Sequence, residues 1–176
     1  IEDLLTASRL QVEGVMQLDL DDVALNRIAE NAIERFQTQT NIHTFELKFE
    51  EDFPIITGDA HRLRHVFDNL ISNAIKYSPQ GGKITIGGRS RDHQQVQVYI
   101  KDEGIGLSEE DAIHVFDRFF RADDSLTRSA PGTGLGLFLV KAIIDAHQGK
   151  IWVTSHPDEK GTTFSFTLPC TLENTR

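Results

Sequence analysis

Asn69, Asn73 and Lys76 stand at i, i+4 and i+7 of a periodic apolar stretch, so a helix there carries two amides and an ammonium in one stripe. Asn is a poor helix-interior residue. The stripe is either a solvated face or a place where amide oxygens meet a cation and the ammonium meets phosphate. Asp102 closes a segment in which Val96, Val98 and Ile100 share one strand face, so parity turns its carboxylate inward. An ionised carboxylate only accepts hydrogen bonds and needs donors when buried. Backbone amides, a structural lysine or the exocyclic amine of a purine would each serve. Gly104 and Gly106 follow at once and allow the chain to turn close to a flat ligand.

A second glycine series, Gly132, Gly134 and Gly136, precedes a helical pattern and sets bare amides at a helix N-terminus, where anions are favoured. The alternative is a turn packed tightly for structural reasons. The series is neither a Walker loop nor the dinucleotide fingerprint, because Leu137 stands three residues after Gly134. Upstream, Phe116, Phe119 and Phe120 alternate with Arg118 and Arg121; the rings are packing residues, and Arg121 is the guanidinium to aim at a terminal phosphate. Residues 122 to 131 are polar, as in a lid or a segment ordered by nothing. His61 and His65 form an i, i+4 pair, but Arg62 holds the place of a zinc-protease glutamate and no third ligand is evident. Cys170 has no motif partner.

These groups need a frame. Leu63, Val66, Phe67, Leu70, Ile71, Ala74 and Ile75 predict the strongest helix, ended by Ser78-Pro79 and Gly81-Gly82. Leu25, Ile28, Ala29, Ala32, Ile33 and Phe36 predict another, with Asp21 or Asp22 as its cap. Phe45, Leu47 and Phe49 alternate as in a half-buried strand; Lys83 to Arg89 with Gln95 to Asp102, and Lys150 to Ser155 with Thr163 to Leu168, read as two strand pairs. A helix from about Gly136 to His147 ends at Gly149. Residues 1 to 16 carry apolar spacing of a further helix continuing upstream. Helices and strands come in blocks without regular βαβ alternation, which predicts an α+β fold, a two-layer sandwich.

The whole chain of 176 residues has 39% apolar and 26% charged residues, the balance of one compact domain that closes a core without disulfide or metal. Its single cysteine fits a reducing, cytoplasmic setting. The longest apolar run, Leu135 to Val140, is far too short to span a bilayer. The opening Ile1-Glu2-Asp3 carries no leader pattern, and the chain reads as a piece of a longer polypeptide. With 18 Lys+Arg against 27 Asp+Glu, the net charge of −9 and the lack of a basic run disfavour nucleic acid as a partner.

Asn69-Leu-Ile-Ser-Asn73-Ala-Ile-Lys76-Tyr77, Asp102-Glu-Gly104-Ile-Gly106, the Phe116 to Arg121 segment and Gly132-Thr-Gly134-Leu-Gly136-Leu resemble, in order, the N, G1, F and G2 boxes of bacterial sensor histidine kinases. The resemblance implies a Bergerat-type domain, a mixed sheet with helices on one face and ATP between helices and a lid. It implies that Asn73, with Asn69 nearby, ligates Mg2+, that Lys76 contacts phosphate and that Tyr77 lines the nucleoside pocket. Asp102 would accept from the adenine amine on the turn made by Gly104 and Gly106. The amides of Gly132, Thr133, Gly134, Leu135 and Gly136 would bind phosphates, with Arg121 and Asn69 as catalytic residues. It further implies a domain over residues 18–170, the end of a dimerisation and phosphotransfer helix with its linker at 1–17, and a tail at 171–176. The partners implied are a histidine-bearing dimerisation domain of the same parent protein and a response regulator receiver domain. The full-length protein would be a homodimer, of a kind that can be anchored in a membrane, and this segment alone a monomer.

Two departures bear on function. Glu103 stands where the family often has Asn, and none of the seven histidines carries the acceptor pattern of His, acidic residue and following Pro. The accepting histidine is therefore expected elsewhere. Related gyrase- and chaperone-type ATPases place Glu at the position of Asn69 as a general base for water; an amide cannot take that proton, which favours transfer over hydrolysis. A nucleotide-binding module without turnover is the third reading, opposed by Asn73, Lys76, Asp102 and the glycine turns.

Overall fold

The computed structural model describes residues 16–92, 94–121, 133–155 and 160–172. The helix expected at residues 1 to 16 lies, but for Met16, outside them, as do Gly132 and the polar stretch 122–131.

Strands β2 (His43–Phe49), β4 (Gly82–Arg91), β5 (Gln95–Lys101), β6 (Lys150–Thr154) and β7 (Thr163–Pro169) form one mixed sheet in the order β2-β4-β5-β7-β6. Only β2 and β4 run parallel. Helices α1 (Leu25–Phe36), α2 (Ala60–Lys76) and α4 (Gly136–Ala146) share the core with it, and α3 (Glu109–His114) is a short surface helix. This is the expected α+β two-layer sandwich.

Period decides the layers. The inward strand positions Ile84, Ile86, Val96, Val98, Ile100, Phe164, Phe166 and Leu168 meet Leu63, Val66, Phe67, Leu70 and Ile71 of α2 in one core. Phe67 and Phe166 meet edge to face with centroids 5.9 Å apart, fixing α2 across the sheet. Each such fully buried side chain contributes about 1.5–3 kcal/mol relative to exposure.

Three expectations need correction. Asp21 and Asp22 do not cap α1; with Val23 they form β1 (Asp21–Val23), antiparallel to β3 (Ile56–Gly58), and the cap position falls to Ala24 without a side-chain bond. Backbone pairing has taken the residues that a cap would use. The helix at the C-terminal side ends one residue earlier than expected, with Gln148 rather than Gly149 in the left-handed region at φ 59°. Gly149 is needed for a different reason, since a Cβ there would overlap the Thr167 carbonyl. Leu47, expected inside, is 37% exposed because β2 is the edge of the sheet.

Candidate functional site: a cleft between α2, the β5 turn and α4

Asp59 starts α2 by accepting from the Arg62 N–H at 3.0 Å, a side-chain cap on an otherwise unpaired donor. Seventeen residues later the helix ends at Lys76, having carried the amide stripe beside its buried face. Asn69 Nδ2 donates to the His65 carbonyl at 3.1 Å, which holds the amide against its own helix. Its oxygen is turned to Gly136, where a Cβ would overlap it. The helix residue and the glycine series thus meet through space.

Asp102 is 3% exposed just past the end of β5, on the inward side as parity required. Its Oδ1 accepts from Gly104 N–H at 2.8 Å and Thr162 N–H at 3.2 Å. Oδ2 takes no bond among the described residues. Burial raises the Asp102 pKa above the usual 3.8, against the lowering effect of the two N–H donors. The turn after it docks on the end of α2, with Ile105 N–H donating to the Tyr77 carbonyl at 2.9 Å. Gly104 lies so close to that carbonyl that any Cβ would overlap it, and Gly106 adopts φ 78°. Both glycines are therefore required by the turn itself.

Phe119 N–H donates to the Gly134 carbonyl at 2.9 Å, so the aromatic segment and the second glycine series are joined backbone to backbone. Phe119 has φ 64° and Gly134 φ 69°, and a Cβ on Gly134 would press on the Phe119 backbone. A left-handed phenylalanine is uncommon, and it persists here in this tight pairing. Leu135, the cap residue of α4, offers no side-chain cap, and the first turn holds no carboxylate. Its leading N–H groups and positive dipole end face no carboxylate of their own first turn.

Asn73, Tyr77, Asp102, Gly106, Leu107, Phe120, Arg121 and Thr162 are among the residues lining one partly open cleft. Val115, Leu137 and Phe164 supply apolar wall, a mixture usual for small-molecule sites. Of the residues singled out from sequence, Asn73, Tyr77, Asp102, Gly106 and Arg121 are brought together here. Asn69 and Gly136 adjoin each other one helix turn away; Gly134 and Leu135 form the approach to α4, and Thr133 is exposed at its start. Lys76 does not line the cleft, and its ammonium lies 5.1 Å from the Tyr77 ring centroid. Gly132 lies outside the described residues. Sequence reasoning missed Thr162, whose N–H holds Asp102, although Gly161-Thr162-Thr163 just ahead of an alternating strand was available as a signal. No group of three or more metal-binding His, Cys, Asp or Glu side chains occurs among the described residues, and His61 with His65 makes no such site.

Residues 58–172 match the model of the histidine kinase-, DNA gyrase B- and HSP90-like ATPase family, and the chain belongs to that family. Its relatives narrow the likeness. It is 37% identical over 171 residues to the sensor histidine kinase WalK of Bacillus subtilis, covering 96% of this chain and 28% of WalK. It is 36% identical to the adaptive-response sensory kinase SasA of Synechocystis, again over 96% of this chain and 44% of SasA. The fold superposes on the mycobacterial sensor histidine kinase MprB with TM-score 0.74 and 28% identity, over 89% of this chain and 100% of that one. The chain thus spans less than half the length of these curated relatives. No helix among the described residues is long and apolar enough to cross a membrane.

Proposed function

We propose that this chain is the ATP-binding catalytic unit of a sensor histidine kinase, transferring the γ-phosphoryl of ATP to a histidine imidazole on a separate helical dimerisation domain of the same parent protein. One observation carries the reading: the buried Asp102, with an oxygen that takes no bond among the described residues, lines one cleft together with Asn73 of α2 and Leu137 of the first turn of α4, and Asn69 meets Gly136 beside it. The names of its relatives support the same branch of the family.

The donor set fits the substrate. Asp102 Oδ2 accepts from the adenine amine, Tyr77 and Phe164 flank the base, and the amides of residues 133 to 136, with Gly132, take phosphate oxygens. Lys76 contacts phosphate by swinging from its perch over Tyr77, and Arg121 spreads charge from the transferring group. The amide oxygens of Asn73 and Asn69 are hard ligands that would hold Mg2+, and the ion would supply neutralisation of phosphate charge. Positioning and electrostatics then provide most of the rate, since no side chain need bond to phosphorus. Asn69 offers no base for water, which directs the phosphoryl to the imidazole. On this reading residues 18–170 are the catalytic domain, 1–17 end the dimerisation helix and linker, and 171–176 are a tail. The parent is a cytoplasmically exposed homodimer that passes phosphate to a receiver domain.

The test is to mix the chain with γ-labelled ATP, Mg2+ and a separately purified histidine-bearing hairpin. Acid-labile label on the hairpin, none on the chain and little free phosphate is the expected result. Rapid phosphate release would place the chain on the hydrolytic branch instead.

A further inference from the structure

We propose that the face of the five-stranded sheet on which no helix of the described residues packs is a docking surface for an acidic protein surface, engaged transiently. Register gathers on it cations that are scattered in sequence. Lys48, Lys83, Arg89, Arg91, Lys101 and Lys150 all occupy outward positions, opposite in parity to the core residues Ile84, Ile86, Val98 and Phe166. They are six of the 18 Lys and Arg residues, while only one of the 27 acidic residues, Glu46, shares a strand position on that face. Glu46 is taken up by Lys48 and Lys83 at 3.2 and 3.6 Å. Arg89 donates to Gln97 at 3.0 Å, and Arg91, Lys101 and Lys150 have no carboxylate partner among the described residues. In a chain of net charge −9, this is a concentrated reversal of sign.

The centre of the face is aromatic. Tyr99, Ser165 and Trp152 stand in one register row across β5, β7 and β6, and the Tyr99 ring lies over Gly87 in the same row. Ser165 and Thr167, at outward positions of β7, are only 5% and 7% exposed although no helix of the described residues packs on that side. Tyr, Trp and Arg around a desolvated centre are the residue types on which protein interfaces concentrate their energy.

Charge and size choose the occupant. Glu50, Asp92 and Glu103 follow the ends of β2, β4 and β5, so a long polyphosphate would run past the cations into acidic flanks, whereas a bounded acidic patch stays within them. Five strands at the usual spacing, each about seven residues long, give about 20 by 23 Å of face, roughly half of what a stable partner covers on each side. The contact is therefore weak, salt-dependent and fast to form.

Fluorescence anisotropy on the 176-residue chain tests this, with labelled poly(Glu,Tyr), labelled poly-Glu and a single-stranded oligothymidylate as probes. The copolymer should bind most tightly, and its affinity should fall as salt rises. Arg89→Glu, Arg91→Glu and Lys150→Glu together should weaken it about tenfold or more. Trp152→Ser should remove the preference of the copolymer over poly-Glu. Absence of copolymer binding, binding untouched by the charge reversals, or tighter binding of the oligothymidylate would each overturn the proposal, the last by giving the face to nucleic acid. Unfolding midpoints confirm that the variants fold, and the three single reversals carry the test if the triple variant does not.

Discussion

Asp102 divides its two oxygens between two tasks. Oδ1 holds the backbone at Gly104 and Thr162, while Oδ2 is left for a donor in the cleft. An asparagine can keep the first task with its carbonyl and must fail the second, since its amide then points a donor at the adenine amine. Asp102→Asn should therefore leave the melting temperature nearly unchanged and cost about 1–3 kcal/mol in ATP affinity, with relaxed preference over GTP. Titration with both nucleotides checks this, and an unchanged preference would remove Asp102 from the base pocket. At Gly136 the argument runs through a contact. A methyl group there displaces the Asn69 oxygen, while Ala in place of Gly at the first position of α4 also narrows the freedom of the unfolded chain, by about 0.4–1 kcal/mol at a compatible site. Gly136→Ala should thus hold stability within about 1 kcal/mol while reducing the extra stabilisation that Mg-ATP gives, read as the thermal shift on adding nucleotide.

At the scale of elements, His147 joins the end of α4 to the start of α2. It is 1% exposed, accepts from the Asp59 N–H through Nε2 at 2.9 Å and lies 2.7 Å from the Ile143 carbonyl through Nδ1, which must then carry the proton. Burial pulls its pKa below the usual 6.5, joined by the charge of Arg62 and opposed by the Ile143 carbonyl and the Asp59 carboxylate. The unfolded chain therefore binds more protons than the folded one as pH falls below about 6.5, so this stability is whole above that pH and lost on going down toward the lowered folded value. Melting curves across the mildly acidic range should show the loss, and His147→Gln, which retains an acceptor, should flatten it. Asp59 belongs to a lower window. Burial pushes its carboxylate up, but the N–H groups of Arg62 and Asp19 outweigh it, so its contribution fades only in stronger acid. The elements themselves were unequally legible. α2 and β5 announced themselves because 17 and 7 residues hold a clear period, and Asp102 could be turned inward by counting from Ile100. β1 and β3 could not be seen, because three residues carry no period and their pairing partner lies far along the chain. Asp21 and Asp22 misled because acidic residues before an apolar stripe are also what a helix cap looks like. Thr162 acts through its backbone, so its side-chain type carries no mark of the role, and only the glycine turn at Gly161 ahead of β7 pointed to the place.

For the whole molecule, the catalytic reading separates the cleft from the histidine it serves. Supplying the hairpin as a separate molecule removes an effective concentration commonly in the mM range for short linkers, so transfer should be slow and second order. Fusing the hairpin to the chain should raise the rate without altering ATP affinity; a change in affinity would show that the hairpin takes part in nucleotide binding. The parity that hides the core on one side of the sheet also collects dispersed lysines and arginines on the other, which no run of residues revealed.

Sheet order has a further consequence for how this chain acquires its structure. β7, at residues 163–169, lies inside the sheet between β5 and β6, and Thr162 just before it completes the bonding of Asp102. Until β7 inserts, β5 keeps one edge unpaired and the Asp102 carboxylate lacks one of its two N–H donors. Pairing Gln95 with Pro169 closes a loop of more than seventy residues, a non-local contact of the kind that makes folding slow and leaves strand edges open to wrong partners. The cleft beside Asp102 is therefore expected to be complete only once β7 has paired, and a chain cut before β7 should show no nucleotide-dependent stabilisation in a thermal-shift measurement.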